Sequence, residues 1–276
     1  MKIITDTGSL LSKQEADQLD VTLLPLQVAI NGKNYRDYFE LDSIDFIEMT
    51  KTVIPTSSQP AIGEVMEAYE DTQETLHITM AKGLSATYVS ALGHIESQKI
   101  KHVTLFNSMT LSLTQRYLVR LASKLKSTHS IDDIINRMNT CLNQCQSYLI
   151  PEDFDYLKRG GRLSPLAATL GGFLKIKPIV TQVEGSEKLE KLGTGRNWKT
   201  ALDKIIDKMK ENGVDDTFKI FVSHAENHKV MELAKTMISM VFPTIEVEVE
   251  DLSPVMITQG GPGCIAIQYI KRDPAH

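Results

Sequence analysis

The sequence predicts an α/β fold built as two α/β domains, and three observations carry that prediction. Short runs rich in Val and Ile alternate with longer segments of helical period, the pattern of strand, helix and strand units. At 276 residues the chain exceeds what one ordinary core fills comfortably. The alternation also breaks near residue 150, where YLIPEDFDYLKRGGRLSP gathers Pro151, Gly160, Gly161 and Pro165 before LAATLGGFLKIKPIV resumes it. The boundary is set at Pro151, giving domains 1–150 and 151–276. Neither an internal repeat nor a low-complexity linker separates them, so the halves are expected to pack closely, and clefts between packed domains favour ligands.

Taken in order, KIIT (2–5) is an apolar run ended at once by Thr and Asp, and reads as a first strand. LQVAI and KNYRD flank Asn31-Gly32, a two-residue hairpin signal, so the sheet is not purely parallel at its periphery. IGEVMEAYEDT (62–72) has helical period, LHITM (76–80) reads as a strand, and TYVSALGHIES (87–97) as the helix after it. HVTLF (102–106) is a strand, and TQRYLVRLASKLK (114–126) and IDDIINRMNTCLNQC (131–145) are helices. Ser130 with Asp133 makes a capping-box-like start for the second of these. Beyond the seam, WKTALDKIIDKMKENG (198–213) and VMELAKTMISMV (230–241) are helical, while FKIFVS (218–223) and IEVEVE (245–250) are strands. Near the end TQGGPGC packs four turn formers between two apolar runs, SPVMI and CIAIQYI.

Composition narrows the function classes. With 42% hydrophobic and 24% charged residues the chain is an ordinary globular one that can bury a sizeable core. Its net charge of -5 offers no footprint for polyanions, so nucleic acid and acidic membrane surfaces are disfavoured partners. MKIITDTGS is too brief and polar for a secretory signal, and no run approaches the ~20 apolar residues of a membrane span. Three cysteines, Cys141, Cys145 and Cys264, support neither a disulfide framework nor a zinc site. Reduced thiols in a cytoplasmic protein, without stable membrane insertion, are the expectation.

Three strand exits concentrate hydroxyls: Thr5-Asp6-Thr7-Gly8-Ser9, Thr56-Ser57-Ser58-Gln59-Pro60 and Leu84-Ser85-Ala86-Thr87. In parallel α/β sheets ligands gather at the carboxyl ends of strands, where helix N-termini present unpaired N–H groups, so such loops suit an anion. The plainer alternative is that each Ser or Thr caps its own helix. An enzyme reading would rest on Ser85 or on His224 in VSHAEN, but no G-x-S-x-G turn, P-loop or dinucleotide fingerprint is present. Gly193-Thr194-Gly195-Arg196 could be a plain turn. Lys158, Arg159 and Arg162 surround a glycine pair as a solvated basic loop or as an anion or partner contact, because Arg forks match carboxylate and phosphate.

Together TDTGS, PTSSQPAIGE, GLSATYVSA, FDYLKRGGRLS followed by LKIKPIV, then SHA and GGPG resemble, in order and spacing, the DegV family of bacterial fatty-acid-binding proteins, from residue 3 to about residue 270. The resemblance implies a mainly parallel three-layer N-terminal domain and a mixed-sheet C-terminal domain. It implies one long-chain fatty acid, its carboxylate near the domain junction and its tail in a pocket of the C-terminal domain. It further implies a carrier without independent catalytic activity or cofactor, presenting the carboxylate to a separate ATP-using fatty acid kinase subunit. A lipid-sensing regulatory protein would share the same site. Carried over by motif, Ser57, Ser58, Ser85, Gln259 and Gly260 are the expected ligand-binding residues, and Arg162 and Arg196 the partner-facing ones. Leu166, Leu170, Phe173 and Leu174 are the expected cavity lining on which chain length depends.

Several positions depart from the family's pattern. Thr7 stands for a usual Ser, Ser57 for Thr, Ala86 for Gly, Asn107 for Asp, and Lys82 occupies a position that is often Ser. The largest departure is Gln259, where members commonly carry His. A His can offer a charged donor near neutral pH, whereas Gln offers only a neutral amide. Lys82 could compensate if it reached the head group, although a Lys at a helix entrance is usually solvated.

Overall fold

The computed structural model describes residues 1–169, 176–183 and 188–275. It divides into two units, Met1–Asn143 with Asp273–His276, and Gln144–Arg272.

The first unit contains β1 (Lys2–Asp6), α1 (Lys13–Gln18), β2 (Val21–Leu24), β3 (Gln27–Ile30), β4 (Lys33–Arg36), α2 (Ser43–Thr50), β5 (Thr56–Ser58), α3 (Ile62–Ala68), β6 (Thr75–Thr79), α4 (Thr87–Gln98), β7 (Val103–Asn107), α5 (Ser112–Leu125) and α6 (Ile131–Leu142). Its main sheet has the order β2-β1-β6-β7 with every pair parallel. Successive side chains of a strand face opposite ways. In β1, Ile4 joins Val65, Ala68 and Ala91 of α3 and α4 in one core cluster, while Thr5 meets Gln115 of α5 on the other face. Helices therefore cover both faces, the three-layer arrangement of a buried parallel sheet. A small antiparallel sheet, β4-β3-β5, stands beside it. Asn31 and Gly32 turn its hairpin at φ 53° and 71°, the left-handed pair that a tight primed turn requires.

The second unit contains β8 (Cys145–Ile150), α7 (Phe154–Arg159), β9 (Lys177–Gln182), β10 (Leu189–Gly195), α8 (Trp198–Glu211), β11 (Phe218–His224), α9 (His228–Val241), β12 (Val247–Asp251), α10 (Pro254–Gly260) and β13 (Ile265–Lys271). Its mixed sheet runs β10-β9-β8-β13-β11-β12, parallel only between β11 and β12. The apolar faces of α8 and α9 cover one side through Ile205, Ile206, Met209, Ala234 and Ile238. A smaller cluster of Leu157, Leu163, Ala167 and Val180, with Leu149 against it, belongs to the α7 side.

Where elements depart from the sequence reading, pairing explains the difference. Residues 131–145 read as one helix, but α6 stops at Leu142 because Cys145 already pairs with Ile270 in the second sheet. That same pairing places Cys145–Ile150 in the second unit, upstream of the Pro151 seam. Thr258 to Gly260 of TQGGPGC are the last turn of α10, with Pro254 at its start, where a missing N–H costs no helical bond. Ser130 does cap α6: its Oγ accepts from the Asp133 amide at 3.2 Å and donates to the Asp133 carboxylate at 2.6 Å.

Candidate functional site

In the first unit two of the hydroxyl loops follow the carboxyl ends of β1 and β6, while Thr56–Ser58 is itself strand β5 of the small antiparallel sheet. The loop after β1 spends its polar groups on itself and on the chain packed around it. Asp6 is wholly buried; its Oδ1 accepts from Gly8 N at 2.9 Å and Gln115 Nε2 at 3.3 Å, and its Oδ2 from Met80 N at 3.0 Å. Burial raises its pKa to about 6, against the pull of those three donors. Thr7 Oγ1 accepts from Leu26 N, and Ser9 Oγ donates to Asp6 O. TDTGS is thus a junction that fixes β1 against β6 and α5.

The other two loops are more open. Ser57 is half-buried and Ser58 exposed on β5, opposite Val28 and Gln27. The next residue, Gln59, donates from Nε2 to Ser90 Oγ at 2.8 Å, tying this segment to α4. Ser85, half-buried, lies two residues before the first residue of α4, its Oγ 2.8 Å from Thr87 Oγ1 and accepting from the Thr87 amide at 3.3 Å. The fold therefore ties together the Ser57–Ser58 segment and the helix that Ser85 opens, at a helix N-terminus. The N-cap of α4 is Ala86, without a side-chain cap, and Ser85 also does the plainer work of holding the Thr87 amide in a local turn. Its partners are a hydroxyl and an amide, and neither is a base that could activate it. Lys82 is exposed, with its amide bound to Asn107 Oδ1 at 3.2 Å.

In the second unit three distant motifs converge. The last turn of α10 lies against α7, where the Gln259 Oε1 sits so close to Gly160 that any Cβ at 160 would collide with it. The Gly160 carbonyl accepts from Arg162 Nη1 at 2.7 Å. Gln259 and Arg162 thus meet around one glycine, and partial burial holds the Arg162 pKa below its usual value. Gly260 is buried against Cys264, and Gly261, at φ 83°, lies on the Tyr156 ring. The end of β11 joins them: Gly263 N donates to Ala225 O at 2.8 Å, and Asn227 Nδ2 to Gly263 O at 2.7 Å. The glycines of QGGPG are required by these close approaches.

His224 ends β11, buried, with Nδ1 3.3 Å from Asp251 Oδ1 and its ring against His228. Burial lowers its pKa, the Asp251 charge opposing that shift. Its ring contacts are a carboxylate and a second imidazole rather than a nucleophile. Arg196 is exposed just before α8. The Arg162 backbone pairs with Leu189 at the start of β10, and Arg196 follows its end. About 20 Å of strand separates their backbones. The fold does not bring the two arginines together.

Leu166, expected to line a cavity, is instead 78% exposed, in the turn after Pro165. Leu170, Phe173 and Leu174 lie outside the described residues. No three His, Cys, Asp or Glu residues gather to hold a metal ion among the described residues, and no described helix is long and apolar enough to cross a membrane. Gln59 and Tyr156 belong to PTSSQPAIGE and FDYLKRGGRLS, but nothing in their spacing marks the Gln59 tether or the burial of the Tyr156 hydroxyl.

The whole chain has relatives. Residues 1–272 match a family model described as "Uncharacterised protein, DegV family". A DegV domain-containing protein of Listeria monocytogenes is 28% identical, covering 97% of each chain. Among solved structures, DegV of Bacillus subtilis, described as a fatty acid binding protein, is 26% identical with a TM-score of 0.85, covering 98% of this chain and 99% of its own. A fatty acid binding DegV family protein of Streptococcus agalactiae, 23% identical, shares the fold at a TM-score of 0.89 over 99% of both chains.

Proposed function

The chain belongs to the DegV family, and from that premise we propose that it binds one long-chain fatty acid as a carrier. The observation that carries this reading is the full-length likeness, in sequence and fold, to the fatty acid binding DegV of Bacillus subtilis. Ser57, Ser58 and Ser85 in the first unit, and Gln259 and Gly260 in the second, are the proposed ligand contacts. The acyl tail is assigned to the second unit.

The energetics favour such a ligand. Burial of an acyl tail contributes roughly 0.8 kcal/mol per methylene, so about fifteen methylenes offer on the order of 12 kcal/mol before ordering costs. A carboxylate removed from water needs donors, which the hydroxyl loops supply. In this reading the chain lacks a catalytic role of its own and hands the carboxylate to a separate ATP-dependent kinase subunit that contacts Arg162 and Arg196.

Denaturing mass spectrometry of the purified protein tests the binding, with a fatty acid near one per chain expected. Repeated absence of lipid, with no uptake of added fatty acid, would overturn it. Incubation with ATP and fatty acid tests the carrier role: acyl phosphate formed without a second protein would make the chain an enzyme.

A further inference from the structure

The turn of α7 beneath the glycine loop holds a polar group that the packing leaves without a partner. Tyr156 is 8% exposed, and its hydroxyl oxygen is buried with no hydrogen-bond partner among the described residues. Its ring is fixed from two sides. A Cβ on Gly261 would stand 3.1 Å from two ring carbons, so the loop backbone lies directly on the ring. The Arg159 guanidinium carbon sits 5.4 Å from the ring centroid.

A buried hydroxyl without a partner is a cost of folding, because it gives up its bonds to water and gains none. Such a cost persists at sites where a ligand supplies the missing bond. Burial pushes the phenol up to about 12, so it keeps its proton across the physiological range and remains a donor. Cys264 beside Gly260 is likewise buried, its thiol pushed up to about 12, so the surroundings are dry and a charge-assisted bond made there is strong. What such a site fits is an anionic oxygen that accepts and cannot donate. An alcohol or ester oxygen would gain far less.

We propose that the Tyr156 hydroxyl is a further ligand of the fatty acid carboxylate, donating to it from the α7 turn beneath the Gln259–Gly263 loop. The proposal rests on the fatty acid reading above and adds a specific donor to it. It separates Tyr156 from Arg162 on the same segment, whose Nη1 is spent on the Gly160 carbonyl.

The test compares Tyr156→Phe with the unaltered protein, using hexadecanoate and 1-hexadecanol as probes and recording thermal stability without lipid. The substitution removes one oxygen and keeps the ring. Expected is a loss of roughly tenfold or more in hexadecanoate affinity, the worth of a hydrogen bond to a charged group. Affinity for 1-hexadecanol should change less than about threefold, and the melting temperature of the lipid-free protein should hold or rise, because an unsatisfied hydroxyl has gone. Equal losses for acid and alcohol, or none for the acid, overturn the proposal while leaving fatty acid binding intact. Failure of the unaltered protein to take up either probe overturns both. Should Tyr156→Phe unfold the lipid-free protein, the hydroxyl holds the fold rather than the ligand, and the proposal falls.

Discussion

Gln259 is a proposed contact of the head group. Its neutral amide lies against Gly160, and unlike a His it neither gains nor loses a proton near neutrality. Fatty acid affinity should therefore vary little between pH 6 and 8, and Gln259→His should add a slope, tighter at the acid end; equal slopes for the two proteins would refute this. Two buried groups set the pH dependence of stability with opposite signs. His77 is fully buried, with Nδ1 2.5 Å from Tyr69 Oη, and burial lowers its pKa to about 3. The unfolded state takes up that proton below about 6.5, so stability falls as pH falls, by about 2 kcal/mol from pH 7 to 5. Asp6, raised to about 6, binds its proton more tightly when folded. Its contribution is full below about 3.8 and is lost as pH rises through 6, so it favours pH 5 over pH 7 by about 1 kcal/mol. The two largely offset. Denaturation of His77→Gln and Asp6→Asn at both pH values should expose slopes of opposite sign, and parallel slopes would show that neither group governs the window.

Among the elements, the proposed ligand contacts sit mostly at the ends of helices and strands. Ser85 both holds the Thr87 amide and is a proposed ligand, so Ser85→Ala should cost about 1 kcal/mol of lipid-free stability, the worth of one hydrogen bond, and weaken fatty acid binding besides. Calorimetry and titration read the two effects separately, and a stability loss with unchanged affinity would leave Ser85 with the turn alone. Gly195, the last residue of β10, lies against the backbone of Ala201 in α8, so closely that a Cβ has no room. Gly195→Ala must push strand and helix apart and should destabilise by about 1–3 kcal/mol, the range for overpacking. Gly193→Ala is its control, because nothing stands within 4 Å of a Cβ there. The strands were legible because apolar alternation and Val/Ile runs survive in β1, β6, β7, β11 and β12. Cys145–Ile150 was not, since CQSYLI mixes polar and apolar residues and becomes a strand only through pairing with β13 and β9.

For the whole molecule, the last residues close the first unit. Asp273 accepts from Arg137 Nε at 2.9 Å through its carboxylate and donates its amide to Tyr117 Oη at 2.6 Å. Removing Asp273–His276 should therefore lower the stability of the first unit, and Asp273→Ala should reproduce most of the loss in chemical denaturation. Ligand should act the other way. A bound fatty acid stabilises by mass action, about 2.7 kcal/mol at a hundredfold excess over Kd, so the melting temperature should climb with added lipid. A flat response would contradict the carrier reading. The end of the chain illustrates why sequence and contact divide the molecule differently. Pro151 is the local break, but units are defined by which strands share a sheet, and β8 shares one with β13, more than a hundred residues on.

The α/β class, the hairpin at Asn31-Gly32 and the cap at Ser130 could be read along the chain, because each follows from local period or from backbone chemistry within a few residues, whereas the parallel first sheet was implied by the family resemblance. The ordered motifs of the sequence carried that resemblance. Only tertiary structure decided which polar groups those motifs leave to spend. Thr7 and Asp6 are taken up by Leu26, Gly8, Met80 and Gln115 and Ser9 by the Asp6 carbonyl, Ser57 and Ser85 are half-buried, and the Tyr156 hydroxyl is buried with no hydrogen-bond partner among the described residues. TQGGPGC reads along the chain as a flexible turn. In the fold its first residues end a helix and its glycines are close approaches to Cys264, Tyr156 and Glu152, a fact of three-dimensional neighbours that spacing along a chain does not encode.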